Sequence, residues 1–180
     1  MKHALVIGGT GMLREATLRL QENKFNVTVV ARNQTKMQKL LEQSSGAHTI
    51  IPLYVDYSNE QQWEEEIQKL IKEKGEIDVV IAWVHSYASK ALPTLIKAMS
   101  KWEHNWKLYH ILGSSSNVEE TRNGLPISQN CSYYQVQLGF MQEGNTSRWL
   151  THSEISKGVI EAITSDQEKR SFQIGQIEPN

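Results

Sequence analysis

Val6-Ile7-Gly8-Gly9-Thr10-Gly11-Met12-Leu13-Arg14 carries a short apolar run into a glycine-rich turn and then into a helical pattern. Strand, glycine turn and helix in that order form a unit that binds a dinucleotide pyrophosphate. Gly8 permits the tight turn at the strand end, with Gly9 and Thr10 continuing it. Gly11 lets a pyrophosphate approach the backbone, and Met12 and Leu13 close the same turn. The unpaired N–H groups and positive dipole end of the helix supply the attraction. Arg14 stands where a third glycine would allow close helix packing. Two readings of Arg14 stay open: it reaches a cofactor phosphate, or it faces solvent beside Glu15 or Glu22.

Outward from this turn the chain alternates short apolar runs with longer amphipathic ones. The first strand is Ala4 to Ile7 and the first helix Gly11 to Glu22, with Met12, Ala16 and Leu20 on one face. Asn26 to Ala31 reads as a second strand, and Asn33 as the cap of a helix carrying Met37, Leu40 and Leu41, ended by Ser44-Ser45-Gly46. Thr49 to Val55 is a third strand, where Pro52 indicates an edge position or an irregularity. Ser58 and Gln61 have the form of a capping box before a helix facing inward through Trp63, Ile67, Leu70 and Ile71. Ile77 to Val84 is apolar on both alternate faces, as in a central parallel strand covered on both sides. Leu92, Leu95, Ile96 and Met99 mark a further helix, and Trp106 to Leu112 a fifth strand. Asn117 to Gln129 reads as a loop, and Ser132 to Met141 alternates with period two, a strand. Thr151 or Ser153 caps a helix bearing Ile155, Val159, Ile160 and Ile163, before a last strand through Phe172, Ile174 and Ile177. The expectation is one α/β domain over residues 1–180. It is a doubly wound parallel sheet of about seven strands in the order 3-2-1-4-5-6-7, with right-handed crossovers and helices on both faces.

Composition narrows the partners. Lys plus Arg (19) nearly balances Asp plus Glu (20), so no basic surface for nucleic acid is expected. The one cysteine, Cys131, excludes an internal disulfide framework and fits a reducing cytoplasm. No apolar run approaches membrane-spanning length, and Lys2-His3 leads straight into a strand, so neither a span nor a signal peptide is expected. The six histidines are scattered without the spacing of a helical zinc site, so no metal is expected.

The strand ends specify the ligand further. A carboxylate commonly follows the second strand and binds the ribose 2′-hydroxyl of NAD. Arg32 stands there instead, with Asn33 beside it, and a guanidinium suits a 2′-phosphate. NADP(H) is therefore favoured over NAD(H). Asp56 and Tyr57 follow the third strand, where a carboxylate accepts from the adenine amino group or simply forms a turn. Ala82 and Trp83 close the fourth strand, where the cofactor crosses the sheet; Trp83 flanks the cofactor or belongs to the core.

On Ile7-Gly8-Gly9-Thr10-Gly11-Met12-Leu13, Arg32, Asp56 and Gly113-Ser114-Ser115, the chain resembles the short-chain dehydrogenase/reductase family in an atypical, shortened form. The resemblance implies the Rossmann fold and an NAD(P) cofactor across the carboxyl ends of the strands. It also implies a serine after the fifth strand and a Tyr-x-x-x-Lys pair on the next helix for proton transfer. Ser114 or Ser115 fits the serine, but the nearest counterpart of the pair is Tyr133-x-x-x-Gln137, uncharged and on a strand pattern. His85, Ser86 and Tyr87, after the fourth strand near the expected nicotinamide, are the best improvised catalytic set, and Ser115, Tyr87 and His85 are the expected contacts to a substrate carbonyl. Two functions stay open: an NADP(H)-dependent carbonyl/alcohol oxidoreductase with a non-standard proton donor, and a non-catalytic NADP(H) sensor or interaction module. Trp102, Trp106 and Trp149 read as core or interface aromatics, and a homodimer is expected.

Overall fold

The computed structural model describes residues 1–45, 48–165 and 168–177. Gly46, expected to help end the second helix, lies outside them. The elements are β1 (His3–Ile7), α1 (Arg14–Glu22), β2 (Asn26–Ala31), α2 (Gln34–Gln43), β3 (Ile50–Tyr54), α3 (Glu60–Lys74), β4 (Val79–Ala82) and α4 (Ala91–Ser100). They continue as β5 (Trp106–Leu112), α5 (Val118–Asn123), β6 (Cys131–Leu138), β7 (Phe140–Glu143), β8 (Thr146–Trp149), α6 (His152–Thr164) and β9 (Ser171–Ile174). Seven strands form one parallel sheet in the order β3-β2-β1-β4-β5-β6-β9. This is the expected order, with β9 in the seventh place because a hairpin intervenes in sequence.

The sheet follows from its residues. β1 is buried from end to end, because both of its faces are covered. Leu5 and Ile7 pack with α3 and α4, whereas Ala4 and Val6 pack with α1, α2 and α6. β3 is an edge strand, so Pro52, opposite Val29, removes a donor only from the open side. Trp63, Ile67, Leu70 and Ile71 line the inner face of α3, as their spacing requires. The fully buried Trp63 donates its indole N–H to the Ala91 carbonyl at 2.9 Å and ties α3 to α4.

Several local expectations change. α1 begins at Arg14, three residues late, because residues 9–13 form turns in which Gly11 and Leu13 both donate to the Gly8 carbonyl. Asn59, not Ser58, caps α3; the Ser58 hydroxyl is engaged by Asp56. The strand read over residues 132–141 breaks at Gly139, where a Cβ would run into the backbone of Gln176. Beyond the break, β7 and β8 form an antiparallel hairpin about Gly144. The expected loop from residue 117 contains α5, capped by the Asn117 side chain. Of the three tryptophans read as core or interface, Trp106 is core, and Trp102 and Trp149 are exposed.

The crossovers do not all take the right hand that the sequence reading expected. β4–α4–β5 and β6–α6–β9 step the same way along the sheet. Yet α4 packs on the α3 face and α6 on the α1 face, so the last crossover has the opposite hand to β4–α4–β5. The β7–β8 hairpin lies between β6 and α6 and gives the chain length to pass over the sheet's carboxyl edge.

α6 is started by a full capping box: Thr151 accepts from the Glu154 amide, and the Glu154 carboxylate accepts from the Thr151 amide. Arg148 of β8 clamps the same Glu154 at 2.7 Å and Glu143 at 2.6 Å. Thr151→Ala is expected to cost about 1 kcal/mol, read as a lower thermal midpoint. No helix among the described residues is long and apolar enough to cross a membrane.

Candidate functional site

The site lies at the carboxyl ends of β1, β2 and β4. β1 is central, α1 leaves it on one face, and α3 delivers the chain to β4 from the other. That reversal opens a crevice at the end of β1. Gly8 turns there with φ 95°, in the left-handed region glycine favours. A Cβ on Gly9 would lie 2.8 Å from the Thr17 hydroxyl and 2.9 Å from Val29 Cγ1, so Gly9 provides the close helix–sheet approach. A Cβ on Gly11 would meet only the Gly8 carbonyl at 3.9 Å, so the space above the turn is open. Leu13 sends its side chain into the core and its amide to Gly8. The amides of Thr10 and Met12 have no acceptor among the described residues. The Met12 carbonyl accepts from the buried Ser156 hydroxyl of α6 at 3.0 Å, which steadies the turn from outside. Arg14 is half-buried, and no ion pair joins it to Glu15 or Glu22 among the described residues. This turn has the shape and donors to hold a pyrophosphate.

Arg32, Asp56, Tyr57, His85 and Tyr87 come together beside it. Arg32 is exposed, with Nη1 3.5 Å from Asp56 Oδ2 and Nη2 donating to the Tyr87 phenol at 3.2 Å. The Ser58 hydroxyl and amide, more than Arg32, hold the Asp56 carboxyl below the usual range. The Tyr57 phenol accepts from the His85 amide at 3.3 Å, and burial pushes its pKa up. Tyr57 meets Trp63 edge-on at 6.2 Å, and His85 stacks on Tyr87 at 5.2 Å. Asn33 uses its side-chain oxygen to cap α2 on the Lys36 amide, which leaves its NH2 group for a ligand.

Trp83 forms the floor between this group and the fifth strand. A Cβ on Gly8 would lie 3.3 Å from Trp83 Cβ, and one on Gly113 would lie 3.7 Å from Trp83 Cη2. The indole therefore reaches from the glycine turn to the end of β5, while Ala82 beneath it is fully buried. Ser115 is exposed in the turn after β5, whose carbonyls at Gly113, Ser114 and Ser116 are gripped by Gln137 Nε2. No contact joins Ser115 to Tyr87 or His85 among the described residues; Tyr87 bonds Arg32 and His85 stacks on Tyr87.

Tyr133 and Gln137 lie on β6, four residues apart, a separation of about 13 Å along a strand. Tyr133 is buried and bonded to His110 Nδ1 at 2.8 Å and to Gln135 at 3.1 Å. Gln135, fully buried, accepts from Arg122 of α5 and donates to the Val118 carbonyl. Reading the sequence missed this chain, whose signal was the run of polar residues on one side of β6. Burial pushes the Tyr133 phenol up to about 12 and the His110 imidazole down to about 4. The unfolded chain protonates His110 near 6.5, so its contribution to stability is complete above that pH. It is lost as pH falls from about 6.5 toward about 4, by about 2–3 kcal/mol. Urea melts at pH 7 and 4.5 are expected to show the fall, and His110→Gln to flatten it.

A family model, that of the short chain dehydrogenases, matches residues 2–101, from β1 through α4. No curated protein matches the sequence. Solved structures match over nearly the whole chain. An alcohol dehydrogenase from Thermococcus sibiricus, complexed with 5-hydroxy-NADP, is 13% identical with TM-score 0.68, covering 100% of this chain and 99% of that one. A betaketoacyl-[ACP] reductase from Bacteroides thetaiotaomicron is 11% identical with TM-score 0.69, covering 97% and 98%. YwfH, an NADPH dependent reductase involved in bacilysin biosynthesis, is 14% identical with TM-score 0.73, covering 97% of each chain. At these identities the likeness is one of fold.

Proposed function

The chain belongs to the short-chain dehydrogenase family, oxidoreductases that bind a nicotinamide dinucleotide, and on that premise we propose that it binds NADP(H) from the glycine turn to Arg32. The observation that carries this is Arg32: an exposed guanidinium at the end of β2, with Asn33 beside it. The dinucleotide, when bound, supplies hydride transfer. The turn from Gly8 to Arg14 holds the pyrophosphate at Gly8, Thr10, Gly11, Met12 and Arg14, with Gly9 and Leu13 shaping it from the core side; Asp56 and Tyr57 hold the adenine, and Trp83, backed by the buried Ala82, the ribose and nicotinamide. The likeness to an alcohol dehydrogenase complexed with 5-hydroxy-NADP supports a phosphorylated dinucleotide.

The same reading makes the protein a carbonyl/alcohol oxidoreductase in which the Ser115 hydroxyl donates to a substrate oxygen. Tyr87 and His85 join it once they leave Arg32 and Tyr57. A non-catalytic NADP(H) sensor is the second reading, favoured by Tyr133, which hydrogen-bonds His110 below the rim. Incubation with NADPH and a panel of aldehydes, ketones and quinones separates the two. Steady oxidation lost in Ser115→Ala or Tyr87→Phe supports the enzyme; tight binding without turnover supports the sensor. A cytoplasmic homodimer completes the proposal, supported by the exposed Trp149 and Trp102 and by the free, buried Cys131 thiol.

A further inference from the structure

We propose that Tyr87 is a strap across the nucleotide cleft, holding Arg32 in the free protein and releasing it only when a 2′-phosphorylated nucleotide enters. The inference rests on the NADP(H) reading and adds a device to it. Arg32 follows β2 and Tyr87 follows β4, and β1 lies between those strands in the sheet. The 3.2 Å bond from Arg32 Nη2 to the Tyr87 phenol therefore spans the carboxyl end of β1, where the glycine turn begins. An adenosine running from that turn to Arg32 must pass the same place.

The base of the strap is anchored in buried structure, and its tip is held only by surface contacts. The His85 amide donates to the Tyr57 phenol at 3.3 Å, and the Ala88 amide donates back to the His85 carbonyl at 3.0 Å, closing a turn. Tyr57 in turn rests on the fully buried Trp63. Tyr87 itself is 58% exposed, held by the Arg32 bond, its stack on His85 and a side-chain contact with Tyr57. A phosphate adds a full negative charge and accepts two parallel N–H bonds from a guanidinium, where the neutral phenol accepts one and carries no charge. It can therefore take Arg32 from the phenol, whereas a ribose hydroxyl has no such advantage.

Tyr87→Phe removes the phenol oxygen and leaves the ring and its stack. Its test combines hydrogen exchange of the segment around residues 83–88 in the free protein with titration of adenosine 2′,5′-bisphosphate and NADPH. The strap predicts faster exchange in the variant and binding tighter by about threefold to tenfold, the weight of one hydrogen bond. Unchanged exchange and affinity, with both proteins binding nucleotide, overturn the strap and leave the NADP(H) reading standing. Weaker binding in the variant also overturns it, making Tyr87 a ligand of the nucleotide. Failure of both proteins to bind either nucleotide overturns the NADP(H) reading and the strap with it.

Discussion

Arg32→Asp is expected to invert the nucleotide preference, lowering NADPH affinity by roughly 100-fold while NADH binding holds or improves. Hydrogen bonds to a charged group are worth about 1.5–3 kcal/mol, and a carboxylate in that place adds repulsion of the 2′-phosphate. The substitution leaves the fold alone. Arg32 is exposed, with a 59% accessible side chain, and its pairing with Asp56 is a surface contact at 3.5 Å. The thermal midpoint therefore stays near that of the parent protein, so lost binding reports on the ligand and not on unfolding. Calorimetric titration of both nucleotides against both proteins checks the result.

The second large effect separates two glycines of one turn. Gly9→Ala places a methyl group 2.8 Å from the Thr17 hydroxyl, 2.9 Å from Val29 Cγ1 and 3.1 Å from Val6 Cγ1. All three neighbours are fully buried, and the Thr17 hydroxyl is committed to the Leu13 carbonyl at 2.9 Å, so none can swing aside. Overpacking of this kind costs about 1–3 kcal/mol and pushes α1 away from the sheet. Gly11→Ala is the contrast, since its methyl group meets only the Gly8 carbonyl at 3.9 Å. Stability is unchanged there, but the methyl group occupies space reserved for the pyrophosphate, and nucleotide binding weakens. Urea melts and nucleotide titrations on the two variants give opposite patterns: Gly9→Ala loses stability, and Gly11→Ala loses affinity alone.

The nucleotide half of the molecule was legible because its signals are local and redundant. Gly8 announces a turn, Trp63-Ile67-Leu70 announces one face of a helix, and Pro52 announces an edge or an irregularity, of which the structure shows the edge. The order of the sheet followed from the alternation of strands and helices. What stayed hidden depends on contacts distant in sequence. Gly139 breaks β6 from β7 because the chain returns to it at Gln176. The opposite hand of the last crossover depends on α6 packing along α1. The hairpin carried a signal in Gly144-Asn145, between two short runs, that reading β6 on to Met141 obscured.

At the site, the sequence marked Arg32, Asp56, Tyr57, His85 and Tyr87 separately, by their places after strands. Their meeting follows from the neighbouring positions of β3, β2, β1 and β4. Tyr87 and His85 were grouped with Ser115 as contacts to one substrate carbonyl, yet in the structure Tyr87 bonds Arg32 after β2 and the His85 amide bonds Tyr57 after β3. Tyr133 behaves as its strand position implied, turned into the molecule and bonded to His110.

The central claim is that one nucleotide lies from the glycine turn to Arg32 with its 2′-phosphate on the guanidinium. Titrating NADPH and NADH into the parent protein while following tryptophan fluorescence tests it most directly, because Trp83 floors the cleft between the glycine turn and Gly113. Saturable quenching by NADPH, at least about tenfold tighter than by NADH, is the predicted result, one charge-assisted bond being worth that much. Equal affinity for the two, or quenching by neither, would contradict it.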